Sequence, residues 1–233
     1  MRLISPAAAA VLAAAAVYCT EPASSQRLAP AVRLPVTTVA EATPPGPSDI
    51  IQEAALGALH ELAAKRDTYR KSPSDIRSLV DKYLLPHFDT EYAARLVLGQ
   101  YWRTATSEQR QRFIEAFYRS LLTHYSGALI DLTPDQLRIL PTPVQPGANH
   151  ATVRTQVRHG NADRIAVNYS MHKTSGSWKV YDVSVDGISY VKSYREDFAE
   201  QIQQRGLESV IARLEKGVGC LGRPIPLPSG GPL

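Results

Sequence analysis

The chain has 233 residues, 26 basic and 22 acidic side chains, and a net charge of +4. This mildly basic balance comes without the clustered Lys and Arg and interleaved stacking aromatics of a nucleic-acid footprint, so no nucleic acid is expected as a partner. Cysteine is confined to Cys19 and Cys220, and loss of Cys19 with a leader leaves no intramolecular disulfide to hold the fold.

The first 25 residues read as a secretory signal peptide. Arg2 supplies a thin basic region, 7–17 an apolar run, and Ala23, Ser24 and Ser25 a small-residue cleavage site before Gln26. The run is too short to span a bilayer. A lipidated Cys19 is the competing reading, disfavoured by the bulky Tyr18 before it. Cleavage removes one base, Arg2, and one acid, Glu21, so the net charge stays at +4. Residues 26–47, with Pro30, Pro35, Pro44, Pro45 and Pro47, have linker composition. Residues 48–216 form the expected domain, large enough for a substantial core, and 217–233 a flexible Gly/Pro-rich tail.

Within the domain the first half reads as helices. Ser48 can cap a helix running to about Ala64, and Ser74 a second that Pro86 stops. Asp89 caps a short helix ending near Gly99. Thr106 and Gln109 have the spacing of a capping box, which opens a long amphipathic helix with Phe113, Ile114, Phe117, Leu121, Tyr125 and Leu129 on one broad stripe. The period then changes to two. Val153 and Val157 alternate with Arg154 and Arg158, and Ile165, Val167, Tyr169 and Met171 with polar neighbours. Next, Trp178 and Val180 fall on one face and Val183 and Val185 on the other, which requires burial on both sides or a bulge. Two helices close the domain, one over about 190–204 ended by Gly206, the other carrying Leu207, Ile211 and Leu214. Helices, then an antiparallel meander, then helices make an α+β fold.

Catalytic and metal motifs are missing. His60, His87, His124, His150, His159 and His172 are scattered, and the HExxH-like start at His60-Glu61 has Ala64 where the second ligand belongs. There is no G-x-S-x-G, C-x-x-C, G-x-G-x-x-G or phosphate-binding G-x-x-x-x-G-K. No metal and no cofactor are therefore expected, and no catalytic residue is assigned. Asn168-Tyr169-Ser170 matches a glycosylation sequon by chance, inside a strand.

Four runs carry a more specific signal: LVLGQYWR at 96–103, TSEQRQRF at 106–113, WKVYDVSVDGIS at 178–189 and SYREDF at 193–198. Together they resemble the MlaC family, also called the toluene-tolerance auxiliary family, over roughly 48–216. The resemblance implies an NTF2-like cone, in which N-terminal helices, a curved antiparallel sheet and C-terminal helices enclose an apolar pocket. It also implies a monomeric periplasmic carrier that holds phospholipid acyl chains as cargo. Its partners would be an outer-membrane lipoprotein complex and an inner-membrane ABC transporter with its substrate-binding ring; a related branch serves hopanoid producers. On that reading Leu96, Leu98, Phe113, Phe117, Leu121, Val153, Val157, Ile165, Val167 and Tyr169 line the acyl pocket. Tyr101, Trp102 and Tyr194 mark its mouth, where amphipathic rings suit a headgroup. Arg110, Arg112, Arg119 and Lys192 are candidates for docking on acidic partners, or else a solvated helix face.

Helical spacing alone does not distinguish a packed core from a pocket. Two rival functions follow from the same fold. A small enzyme would use Asp182 or Tyr181 inside the cavity as a buried base or donor, and a structural protein would have its core filled.

Overall fold

The computed structural model describes residues 44–158 and 164–217. The expected signal peptide, the linker up to 43, His159 and the tail from 218 lie outside the described residues.

Helix α1, Pro47–Lys71, is capped at Gly46 and not at the expected Ser48, which lies inside its first turn. Pro47 is at home in the first turn, where an N–H has no intrahelical acceptor, and the Asp49 carboxylate accepts from the Gly46 N–H at 2.9 Å. The helix outruns its expected end by bending: Lys65 leaves helical geometry (φ −123°, ψ 22°), and the chain continues to bury Tyr69 beside Leu62 and Ile76. A 3-10 turn at Pro73–Asp75 replaces the expected Ser74 cap and leads into α2, Ile76–Tyr83. The two helices are clamped by Glu61, whose carboxylate meets Lys82 at 2.7 Å, the Tyr83 hydroxyl at 2.9 Å and Lys65 at 3.0 Å. Its pKa is held at about 2, first by the Lys82 bond and then by Lys65 and Tyr83.

Asp89 caps α3, Thr90–Leu98, by accepting from the Tyr92 N–H at 2.9 Å. Gly99 ends it at φ 55°, with the Arg195 side chain so near that a Cβ would lie 3.0 Å from its Nε. A single turn, α4 (Tyr101–Thr104), precedes α5, Ser107–Ile130. The expected capping box is formed, with both reciprocal bonds between Thr106 and Gln109 at 3.1 Å.

The sheet is an antiparallel meander in the order β1 (Leu137–Ile139), β2 (His150–Arg158), β3 (Arg164–Lys173), β4 (Trp178–Val185), β5 (Ile188–Ser189). Its register sets Val153 opposite Tyr169 and Val157 opposite Ile165. Between β3 and β4, Ser170 faces Asp182 but Met171 faces Val180, so Tyr181 is a surplus residue. This bulge resolves the open alternative on β4: the extra residue brings Trp178, Val180, Val183 and Val185 to the same inner face. Helix α6, Tyr190–Arg205, is capped by Ser189, and α7, Leu207–Glu215, follows Gly206 at φ 79°.

The architecture is α+β, an open five-stranded antiparallel sheet with helices over its apolar face. Its core is divided among three clusters. One joins α3, α5, α6 and α7 around Phe113, Phe117, Tyr194, Phe198 and Ile211. A second joins α1, α2 and the end of α5 around Leu62, Tyr69, Ile76, Leu79 and Ile130. The third presses Ile50 and Ile51 of α1 onto Val153, Met171, Trp178 and Val180. The candidate docking arginines are largely spent within the fold. Arg112 grips Glu215 with two nitrogens at 2.8 and 2.9 Å and Glu208 at 2.6 Å, tying α5 to α7. Arg119 pairs with Glu115 at 2.7 Å, and Arg110 stacks on Trp102.

Candidate functional site

Where the three clusters meet they leave an apolar cavity of about 630 Å³. Its wall is a property of the long helix and the sheet together. On α5, Ile114, Phe117, Tyr118, Leu121, Leu122 and Tyr125 face the cavity. Their spacing of three and four makes a continuous stripe, rotated from the neighbouring stripe of Phe113, Ala116 and Phe117 that packs in the core. One helix thus carries two adjacent apolar faces with different tasks. The sheet contributes Val157, Ile165, Val167, Tyr169, Val183 and Val185, and further parts come from α3 (Ala93, Ala94, Val97), the end of α2 and the turn after it (Val80, Leu84, Phe88), the end of α5 and just beyond (Leu129, Leu132) and the start of α6 (Tyr190, Val191, Tyr194).

The structure brings Phe117, Leu121, Val157, Ile165, Val167 and Tyr169 together on this wall. It sets the other pocket candidates elsewhere. Phe113 is fully buried between Phe117 and Phe198, with ring centres 5.5 and 5.4 Å away. Leu98 is buried in the same helical cluster, and Leu96, on the same helix, is half-buried without reaching the cavity. Val153 is sealed beneath Ile50 and Ile51. Of the mouth candidates, Tyr194 is only 1% exposed and belongs to the cavity wall, while Tyr101 and Trp102 pack half-buried against the helical cluster. Ile114, Leu122, Tyr125, Tyr190 and Val191 are wall residues that the pocket assignment from sequence left out. An apolar band on α5 wider than one packing face was the available sign.

The carboxylates in the wall are paired. The Asp182 carboxylate accepts from the Ser189 hydroxyl at 2.6 Å and the Val191 N–H at 3.0 Å, which secures the start of α6. Asp131 meets Arg70 at 3.1 Å. The Tyr118 hydroxyl donates to Asp81 at 2.6 Å, and burial, then that bond, pushes its phenol well above the usual range. Burial likewise raises the phenols of Tyr169, Tyr181, Tyr190 and Tyr194. These tyrosines remain neutral at physiological pH and act as hydrogen-bond donors rather than bases. Asp182, one of the two candidates of the enzymatic reading, is thus a paired carboxylate that holds the start of α6. Three or more metal-ligating side chains do not gather anywhere among the described residues, and none of the described helices is long and apolar enough to cross a membrane.

Known proteins share this arrangement. The solved structure of a phospholipid-binding protein from Ralstonia solanacearum, in complex with a phospholipid, superposes with a TM-score of 0.67 at 25% identity, covering 72% of this chain and 94% of that one. Toluene tolerance protein ttg2D of Pseudomonas putida is 32% identical over 173 residues, 74% of this chain and 79% of its own length. The intermembrane phospholipid transport system binding protein MlaC of Haemophilus influenzae is 25% identical over 183 residues, 77% and 84% of the two chains. The sequence profile of the MlaC protein family matches residues 52–216, most of the chain, and the protein belongs to that family.

Proposed function

We propose that this protein is an exported periplasmic carrier that holds phospholipid acyl chains in its cavity. It would shuttle the lipid between an outer-membrane lipoprotein complex and an inner-membrane ABC transporter. The observation that carries this reading is the cavity itself, about 630 Å³ of space walled chiefly by aliphatic and aromatic side chains. That volume lies within the roughly 300–1,000 Å³ of typical small-ligand sites. Phe117, Leu121, Val157, Ile165, Val167 and Tyr169 are the side chains assigned to acyl contact. The phospholipid held by the Ralstonia relative and the transport role in the Haemophilus relative's name support the same cargo. The predicted signal peptide over 1–25 supports a periplasmic setting.

The energetics explain the need for partners. An acyl chain of roughly 16 carbons, at about 0.8 kcal/mol per methylene, is held against water by on the order of 12 kcal/mol. Release into the aqueous phase would be very slow. Against a bilayer or another apolar groove the same chain is nearly balanced, so transfer proceeds where the carrier docks and the lipid never meets water. Direction has to be supplied by a partner, because the chain contains no nucleotide-binding loop of its own.

The test is native mass spectrometry with lipid extraction on protein purified from a Gram-negative periplasm. Stoichiometric phospholipid is the expected result. An empty protein that also takes up nothing from donor vesicles would overturn the proposal.

A further inference from the structure

The cavity carries more hydroxyl groups than an acyl chain requires. Of the tyrosines in its wall, Tyr118 donates to Asp81, while Thr155 and Ser170 ease the upward push of burial on the Tyr169 and Tyr181 phenols. Tyr125, Tyr190 and Tyr194 instead turn to one another. The hydroxyls of Tyr125 and Tyr194 lie 3.1 Å apart. Tyr190 stacks on Tyr125 with ring centres 5.6 Å apart, which brings a third hydroxyl-bearing ring against the pair. Among the described residues these hydroxyls have no other hydrogen-bond partner. The rings are held in place, Tyr194 edge-on to Phe117 at 5.1 Å and to Tyr190 at 6.2 Å.

The Tyr125 and Tyr194 hydroxyls have two protons and one bond between them, so one O–H is left over, and Tyr190 adds a third hydroxyl beside them. In an apolar cavity an unmet donor is costly. The methylenes of an acyl tail cannot accept it. The ester carbonyl at the head of each acyl chain can, as a strong acceptor carried on the end of an apolar ligand. We propose that Tyr125, Tyr190 and Tyr194 form a seat for the ester carbonyl of a glycerolipid, so that the cavity selects ester-linked over ether-linked cargo. This rests on the lipid-carrier reading and deepens it by naming the linkage recognised. The proton count adds an unusual property: one or two tyrosines can be lost and a donor still remains, so the seat disappears only when all three hydroxyls are gone.

The experiment loads the delipidated full-length mature protein from an equimolar mixture of diester and diether phosphatidylglycerol with matched chains, and reads the bound ratio by native mass spectrometry. The wild type is expected to favour the diester by about tenfold, the scale of one hydrogen bond in an apolar site. Tyr194→Phe alone is expected to keep most of that preference. The triple variant Tyr125→Phe, Tyr190→Phe, Tyr194→Phe, checked for folding by circular dichroism, is expected to bring the ratio to near one. Equal binding of the two lipids by the wild type would overturn the proposal without any variant being needed. So would an undiminished preference in the folded triple variant, which would place ester recognition elsewhere while leaving the carrier reading intact. Binding of neither lipid would overturn the carrier reading and this proposal together.

Discussion

Val153 and Val157 stand on the same face of the same strand, two alternations apart, and the sequence treats them alike. Val153 is fully buried beneath Ile50 and Ile51 at the start of α1. Val157 faces the cavity together with its cross-strand neighbour Ile165. The inner face of the sheet therefore has a plugged end and a hollow end, and the chain decides between them by what it lays on top. Helix α1 covers one end with two isoleucines. At the other end α5 stands opposite, across the cavity. An apolar side chain fixes which way a strand faces but leaves open whether a neighbour or a cargo completes the contact.

The sharpest break of this comparison is the same substitution at both positions. Val153→Asp puts an unpaired charge into a filled core and is expected to destabilise the fold by more than about 3 kcal/mol, read from urea unfolding. Val157→Asp is expected to leave a folded protein that purifies without lipid, because its charge lies in the apolar chamber. Retention of wild-type lipid by a folded Val157→Asp variant would remove Val157 from the acyl contacts.

Truncations grade the same contrast. Met171, fully buried in the plugged end, should cost about 2–5 kcal/mol when changed to Ala. Ile165→Ala in the cavity wall should cost about 1 kcal/mol or less in the lipid-free protein, since its side chain already borders open space. Equal losses at the two sites would mean that the lipid-free cavity collapses. Cargo should act as the missing neighbour of the hollow end. At lipid concentrations about 100-fold above the dissociation constant, linkage adds about 2.7 kcal/mol, visible as a rise in Tm of about 5–10 °C over the delipidated protein. An unchanged Tm in a protein shown to be loaded would argue that lipid sits outside the cavity.

The smallest expected effect concerns the clamp that anchors α1, the helix carrying the plug. Glu61 is ordinarily protonated near pH 4.5 and is held at about 2 in the folded protein. A depressed carboxylate contributes stability that is fully present above its unfolded pKa and is lost as pH falls through the folded value. Unfolding midpoints should therefore decline between about pH 5 and pH 2, and Glu61→Gln should flatten that acid limb while leaving lipid binding near neutral pH unchanged. An acid limb identical in the variant would assign the decline to other carboxylates.

Local chemistry made much of the fold legible. The caps at Asp89 and Thr106–Gln109, the stop at Gly206 and the alternation in β2 and β3 all depend on residues within one turn or one pleat of each other. What escaped depends on distant partners. Nothing near Lys65 in the chain announces that α1 will bend and continue, because the reason is Tyr69 packing beside Ile76. Arg112 looks like a solvated base until its carboxylate partners, 96 and 103 residues further on, are seen. The candidate site divided along the same line. Phe113 and Ile114 are adjacent on an apolar helix face, yet the first is core and the second is wall, a distinction set by where α6 and α7 stop and the chamber begins.

The bulge at Tyr181 constrains how this chain can change length. If that residue were deleted, Val180 and Asp182 would keep Met171 and Ser170 as their partners, and the strand would become a regular alternation with Trp178, Val180, Val183 and Val185 still on the inner face. Loss of Lys179 instead would set Trp178 next to Val180 and turn the indole toward the face that carries Arg154, Asn168 and His172. A missing codon is thus absorbed at the bulge, whereas two residues earlier it would uncover the plugged end and spare the hollow one.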